Sequence, residues 1–276
     1  MTRRARPRRR RGGSDLWLRI VAAIPAIAYA IAIIVAGGWI FAAGIVVLGW
    51  VCLHELYRMY EHARPIKLAG FLALAGLAAG ALEGGERQVL LALVAFVPVV
   101  FLLGLAMPRG EGPSLTAGMS ITTFGVVWVG MAIAHAVLLR ETVHGDGIIV
   151  DILVGTFIGD SGAYLGGRAF GTRKLSPRIS PNKTVEGLVI GILTAVVATW
   201  AAGLYQDWLT HGEALILGAA VGVAAPIGDL LESAVKRDAG TKDAGRLFGA
   251  HGGALDRLDA AFFTLVTGYY VWLALM

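Results

Sequence analysis

From Leu16 to Met276 the chain alternates between long runs of Ala, Leu, Val, Ile and Gly and short polar stretches. A helix needs roughly 20 apolar residues to cross a bilayer. By that measure the pattern predicts about nine transmembrane helices. They lie near Trp17–Ala36, Trp39–Tyr57, Ile66–Leu82, Val89–Met107, Ala117–Leu139, Gly147–Phe170, Thr184–Gly203, Ala214–Leu231 and Leu258–Met276. The expected fold is an all-α polytopic membrane protein. Pro25 and Pro98 fall inside spans and are expected to kink them. Glycine and alanine recur at spacings that let helices approach closely, as around Gly125 and Gly130. Every loop is too short to fold alone, so residues 16–276 are expected to form a single transmembrane domain.

Composition supports this reading. Of the 276 residues, 57% are hydrophobic and 16% charged, against about 25% charged in an ordinary soluble domain. Mean hydropathy is +0.70. The single cysteine, Cys52, lies in an apolar run and is read as a packing residue, with no intrachain disulfide open to it. The N-terminal MTRRARPRRRRGGSD, residues 1–15, is expected to be a disordered tail. It stands directly before a hydrophobic segment. It is therefore read as a cytoplasmic topology signal touching anionic lipid, not as a nucleic-acid arm. That first segment is long for a signal peptide and shows no convincing cleavage site, so it is read as a retained span.

The 24 Lys and Arg set an orientation. With the N-terminus inside, the cytoplasmic loops are HELYRMYEHARPIK, PRGEGPS, GTRKLSPRISPNK and ESAVKRDAGTKDAGR. The outer loops are LEGGER, RETVHGDG and YQDWLTHGE. The inner set is the more basic, as the positive-inside rule requires. Two polar segments far apart in sequence then share the cytoplasmic face, where a polar cavity could join them.

The first is GDSGAYLGGRAFGTRKLSPRISPNKTVEG, from Gly159 to Gly187. Asp160 sits inside a span, where an ionisable group costs about 3 kcal/mol on insertion scales unless it faces a polar cavity or a partner. It is either a functional carboxylate or one paired with a cation such as Arg168. Lys174, Ser180, Lys183 and Thr184, with Glu186 behind them, combine cations, hydroxyls and flexible backbone. That set suits an oxyanion, phosphate above all. The second segment, SAVKRDAGTKDAGRLFGAHGGALDRLDA, runs from Ser233 and is preceded by Asp229. It carries Lys236, Arg237, Lys242, Asp243, His251, Gly252, Gly253, Asp256, Arg257 and Asp259. Asp256 and Asp259 share one face if that stretch is helical. Carboxylates beside phosphate-binding cations suit Mg²⁺, which prefers a few carboxylates, water and phosphate oxygens. Asp229, Asp256 and Asp259 are the candidate metal ligands. His251 is open to three roles: ligand, acid or phosphate donor.

Other chemistries find no support. HELYR at His54 lacks the second histidine of a zinc site, since Arg58 stands there. There is no GxxxxGK[ST] phosphate loop, no GxSxG elbow and no Cys/His array. The remaining groups fit phosphoryl or nucleotidyl transfer, in which positioning and charge neutralisation supply most of the rate.

Ser233 to Asp259 resembles the signature of the phosphatidate cytidylyltransferases, also called CDP-diacylglycerol synthases. It does so through Ser233, Val235, Lys236-Arg237, Lys242-Asp243, His251-Gly252-Gly253, Asp256-Arg257 and Asp259. Ala254 departs from the usual larger aliphatic, which shrinks a packing contact only. The GD-x-GAY, FG-x-x-KL and SP-x-KT-x-EG elements of the first segment are similar to that family too, with Val185 where an aromatic is common. The resemblance implies CMP transfer from CTP to phosphatidate, with Mg²⁺ and a possible second metal ion. It further implies a site at the cytoplasmic face of the cell membrane and a homodimer. Asp160, Lys183, Lys236, Arg237, Lys242, Asp243, His251 and Arg257 would be catalytic. Lys174, Ser180, Thr184, Glu186, Ser233, Gly252 and Gly253 would bind substrate. The rivals are a CTP-dependent polyprenol kinase or a CDP-archaeol synthase, and, from another class, a transporter.

Overall fold

In hydrocarbon a chain must satisfy its own backbone N–H and C=O groups, so apolar runs of this length become helices. The computed structural model describes residues 14–107, 112–245 and 252–276. Most of the expected tail, and His251 with it, lies outside the described residues. Nine α-helices are described: α1 (Ser14–Ala36), α2 (Gly38–Met59), α3 (Lys67–Ala106), α4 (Leu115–Gly125), α5 (Met131–Arg140), α6 (Gly145–Phe170), α7 (Val185–Gly203), α8 (His211–Asp238) and α9 (Leu255–Leu275). A π-helical turn, Val126–Gly130, joins α4 to α5 into one apolar rod. Among the described residues seven helical stretches are long and apolar enough to cross a membrane, and α1 adds the shorter apolar stretch Ile24–Ala36. The protein is a multi-pass, all-α membrane protein.

The 40 residues of α3 are not one rod. Gly85 breaks the helix at φ 64°, ψ −156°, a conformation that only glycine adopts without strain. The arms then run back along each other. Gly80 lies against the Gln88 backbone, and Gly104 near the far end packs on Ile66 at the start. The two arms correspond to the spans expected at Ile66–Leu82 and Val89–Met107. Pro98 sits inside the second arm and Pro25 inside α1.

Helices α6, α7, α8 and α9 pack on one another in succession. Small residues set the closest crossing. A Cβ added at Gly191 of α7 would lie 2.7 Å from the Ala163 Cβ of α6. In a membrane such contacts replace the hydrophobic drive that lipid cancels. Thr156 of α6 donates to Thr264 of α9 at 2.9 Å, which satisfies a hydroxyl inside the bundle. The apolar core runs through α2, α3, α5, α6, α8 and α9, with Leu53, Tyr57, Leu74, Leu139, Ile148 and Leu217 fully buried.

The connecting segments sort to two ends. At one end the Tyr60 hydroxyl donates to the Val235 carbonyl at 3.0 Å, and Gly112 lies against the Arg64 guanidinium. At the other, the Trp272 indole donates to the Val143 carbonyl at 3.1 Å. There the His144 ring also stacks on Trp208 at 4.0 Å, and Gln206 donates to Asp151 at 3.1 Å. The described parts of the basic loops gather at the first end and the short, less basic loops at the second, the segregation expected from charge. The described strands, β1 (Lys174–Ser176) and β2 (Ser180–Thr184), form an antiparallel hairpin between α6 and α7 at the basic end.

Candidate active site

The hairpin is built from its own polar residues. Thr184 caps α7, its hydroxyl accepting from the Gly187 N–H at 3.1 Å. Two residues on, the Glu186 carboxylate accepts from the Thr172 N–H at 3.0 Å, the Thr172 hydroxyl at 2.6 Å and the Arg173 N–H at 3.2 Å. Glu186 therefore orders the start of the hairpin. Lys174 is exposed on β1, and Ser180 is half-buried at the start of β2. The geometry directs Lys183, near the end of β2, inward, where it forms an ion pair with Asp229 of α8.

That pair lies in a cavity of about 510 Å³ between α6, α7, α8 and the hairpin. Asp160, Arg168, Asn182, Lys183, Thr184 and Asp229 supply its polar lining. Glycines and alanines such as Gly159, Ala163 and Gly191 supply most of the rest. The intramembrane Asp160 thus lines a mostly apolar cavity that also holds Arg168 and the Lys183–Asp229 pair, and such polar neighbours lower the cost of a carboxylate at that depth.

Asp229 also belongs to a second group. Carboxylate oxygens of Asp229, Glu232 and Asp259 lie within 4.8 Å of one another, with Glu232 and Asp259 buried. One Glu232 oxygen, Oε1, is buried without a hydrogen-bond donor. Beside them Lys236, one turn beyond Glu232, forms ion pairs with Glu232 and, at 2.8 Å, with Asp256. The Ser233 hydroxyl lies 3.5 Å from Asp229. Three close carboxylates with an unsatisfied oxygen suit a hard divalent cation, whose ligands are oxygens.

Asp256 stands differently. Besides Lys236 it accepts from the Gly253 N–H at 2.7 Å and the Ala244 N–H at 3.0 Å. It ties Ala244 to Gly253 and lies outside the three-carboxylate group. Gly252, at φ +84°, lies against it; a side chain there would be both strained and crowded by the Asp256 carboxylate. Arg237 donates to the Ile179 carbonyl at 3.3 Å, which ties the end of α8 to the hairpin turn. Lys242, Asp243 and Arg257 are exposed at the same end.

Through Asp229, then, Asp160 and Lys183 from the first polar segment meet Lys236, Asp256 and Asp259 from the second. Two residues escaped sequence reasoning. Glu232 had a signal: it lies three residues after Asp229 and four before Lys236, on one helix face. Glu55, buried on α2, accepts from the Ala254 and Leu255 N–H groups at 3.2 and 2.9 Å. It lies about 200 residues away in sequence, and its motif suggested only a zinc site that it lacks.

The model of the cytidylyltransferase family matches residues 17–275, nearly the whole chain. The chain belongs to the cytidylyltransferase family. Among curated proteins this family member is 30% identical to the phosphatidate cytidylyltransferase of Synechocystis sp. over 287 residues, covering 91% of this chain and 94% of that one. It is 29% identical to the phosphatidate cytidylyltransferase of Mycobacterium bovis, covering 95% and 89%. An uncharacterized Escherichia coli protein, YnbB, is 34% identical over 183 residues, 61% of its length.

Proposed function

We propose that this cytidylyltransferase transfers CMP from CTP to phosphatidate, giving CDP-diacylglycerol and pyrophosphate. The observation that carries the reading is the meeting of Lys183, Asp229, Glu232, Lys236 and Asp259 at the basic end of a membrane bundle. Family membership and the names of the full-length relatives support it.

The acceptor brings its own nucleophile. A phosphate monoester has a second pKa of about 6 and is largely dianionic at pH 7, so no strong general base is needed. Its oxygen attacks the α-phosphorus of CTP. The new P–O bond forms as the α–β bridging P–O bond breaks, and the electron pair leaves with pyrophosphate. The obstacle is repulsion between two polyanions, and fixed cations lower it. Lys183 and Lys236, both mostly buried, stand where that charge would gather. Asp229, Glu232 and Asp259 would hold Mg²⁺, whose charge would neutralise phosphate oxygens when bound. Lys174, Arg237, Lys242 and Arg257, exposed at the same end, would attract the triphosphate, and Ser180, Thr184 and Glu186 would keep the hairpin in place.

The orientation belongs to the same proposal. It has nine crossings, the N-terminus in the cytoplasm and the site at the cytoplasmic face of the cell membrane, where CTP and lipid headgroup meet. The test is CTP labelled separately at its α- and γ-phosphates, given with phosphatidate in mixed micelles. Passage of the α-label into lipid is expected. Passage of the γ-label into a lipid alcohol would identify a kinase instead.

A further inference from the structure

We infer that Glu55 is a positioning residue for this site, holding the start of α9 so that Asp256 and Asp259 face Lys236 and the carboxylate group. The inference rests on the transferase reading above. Glu55 lies on α2, in the half of the chain that contributes no other group to the site. It is 6% exposed. Its two oxygens accept from the Ala254 and Leu255 N–H groups, the first of α9, which otherwise has no side-chain cap. The first N–H groups of a helix have no partner inside it, and a carboxylate there also meets the positive end of the helix dipole. Charge-assisted bonds to backbone N–H groups are among the stronger ones.

The surroundings are shaped to this carboxylate. A Cβ placed on Gly245 or on Gly253 would collide with its oxygens. Both glycines belong to the connection between α8 and α9, so the absence of a side chain lets the loop close on Glu55 from two sides. The end of α2 adds two further ties. Tyr60 donates to the Val235 carbonyl, and the Thr241 hydroxyl reaches the Met59 sulfur at 3.5 Å. Asp256 lies one residue beyond the clamped Leu255, and Asp259 one turn further on the same helix. A shift of the α9 start therefore moves both. Displacements of about 1 Å at a reacting centre cost on the order of 100-fold in rate.

The test uses the full chain in lipid nanodiscs, with Glu55→Ala, Glu55→Gln, Gly245→Ala and the double variant Glu55→Ala/Gly245→Ala. Backbone hydrogen exchange at Ala254 and Leu255 reads the clamp, and steady-state CMP transfer to phosphatidate reads its consequence. Glu55→Ala and Gly245→Ala should each speed exchange at both amides by about tenfold or more and lower kcat by about 10–100-fold. KM for phosphatidate should stay within about twofold, because the lost interaction is not with substrate. Glu55→Gln, which keeps acceptor oxygen, should recover part of both losses. The double variant should be no worse than Glu55→Ala, since both break one contact. Unchanged exchange in Glu55→Ala overturns the clamp. Faster exchange with unchanged kcat overturns the positioning role, and so does a double variant whose losses add. Should Glu55→Ala not fold, Glu55→Gln and Gly245→Ala decide the matter by the same readings. Wild-type protein without CMP transfer would overturn the transferase reading, while the exchange data would still decide the clamp.

Discussion

Replacing Asp229 by Asn changes two things at once. It removes the partner of Lys183 and one of three clustered carboxylates. The first loss is one of stability. Two unit charges 4 Å apart attract by about 4 kcal/mol at an effective dielectric of 20, but desolvation offsets much of this. The Lys183 and Asp229 side chains are 25% and 34% exposed, between the surface case of about 0–1 kcal/mol and the buried case of about 3–5. A cost of about 1–2 kcal/mol is expected, too little to unfold the bundle. The second loss is one of activity. Removing even an outer-shell partner of a metal ligand costs about 10–100-fold, so removing a ligand should cost at least about 100-fold in turnover. A double variant, Asp229→Asn with Lys183→Met, separates the two. Without the orphaned ammonium its detergent melting temperature should return most of the way to wild type, while turnover stays lost. Thermal melting by intrinsic fluorescence and CMP transfer to phosphatidate are the assays. Asp229→Asn retaining more than a tenth of wild-type turnover would refute the placement of Asp229 at the reacting centre.

Further variants probe neighbouring groups. Asp256→Asn should abolish turnover while leaving the protein in the membrane, since it removes the charge that pairs with Lys236 and one of the two carboxylate oxygens shared by Lys236 and two loop N–H groups; fractionation and CMP transfer check this. Glu232→Gln should raise the Mg²⁺ concentration for half-maximal activity by about 10-fold or more, with little change in KM for phosphatidate, as a metal titration would read. Lys183→Ala should weaken use of CTP or phosphatidate; unchanged kinetics for both would reduce the hairpin to a structural loop. Glu186→Ala should speed exchange of the Thr172 and Arg173 N–H groups and raise KM for CTP more than it lowers kcat.

The helices were legible because the bilayer imposes one length and one composition on every span. The hairpin within Lys67–Ala106 was legible as two runs, although the break itself rests on one glycine at positive φ. The π-turn at Val126–Gly130 left no mark in the hydrophobic pattern, which changes little when a helix widens by one residue. At the site, Asp229 and Asp259 were legible as candidate ligands because carboxylates among cations are rare in so apolar a chain. Asp256 was read alongside them from i, i+3 spacing, yet its side chain turns to Lys236 and to backbone N–H groups. Spacing along a helix shows which face a residue occupies; neighbouring elements decide what that face meets. Glu55 shows the limit most plainly, since its partners lie at the far end of the chain and are backbone groups without sequence identity.

The central claim is that the two polar segments form one site for nucleotidyl transfer to a lipid phosphate. Pyrophosphate release by the purified protein tests it most directly, with CTP, Mg²⁺ and phosphatidate each omitted in turn. Release that requires all three, with CDP-diacylglycerol formed in step, is the predicted result. Release independent of phosphatidate, or none at all from folded protein given all three, would contradict it.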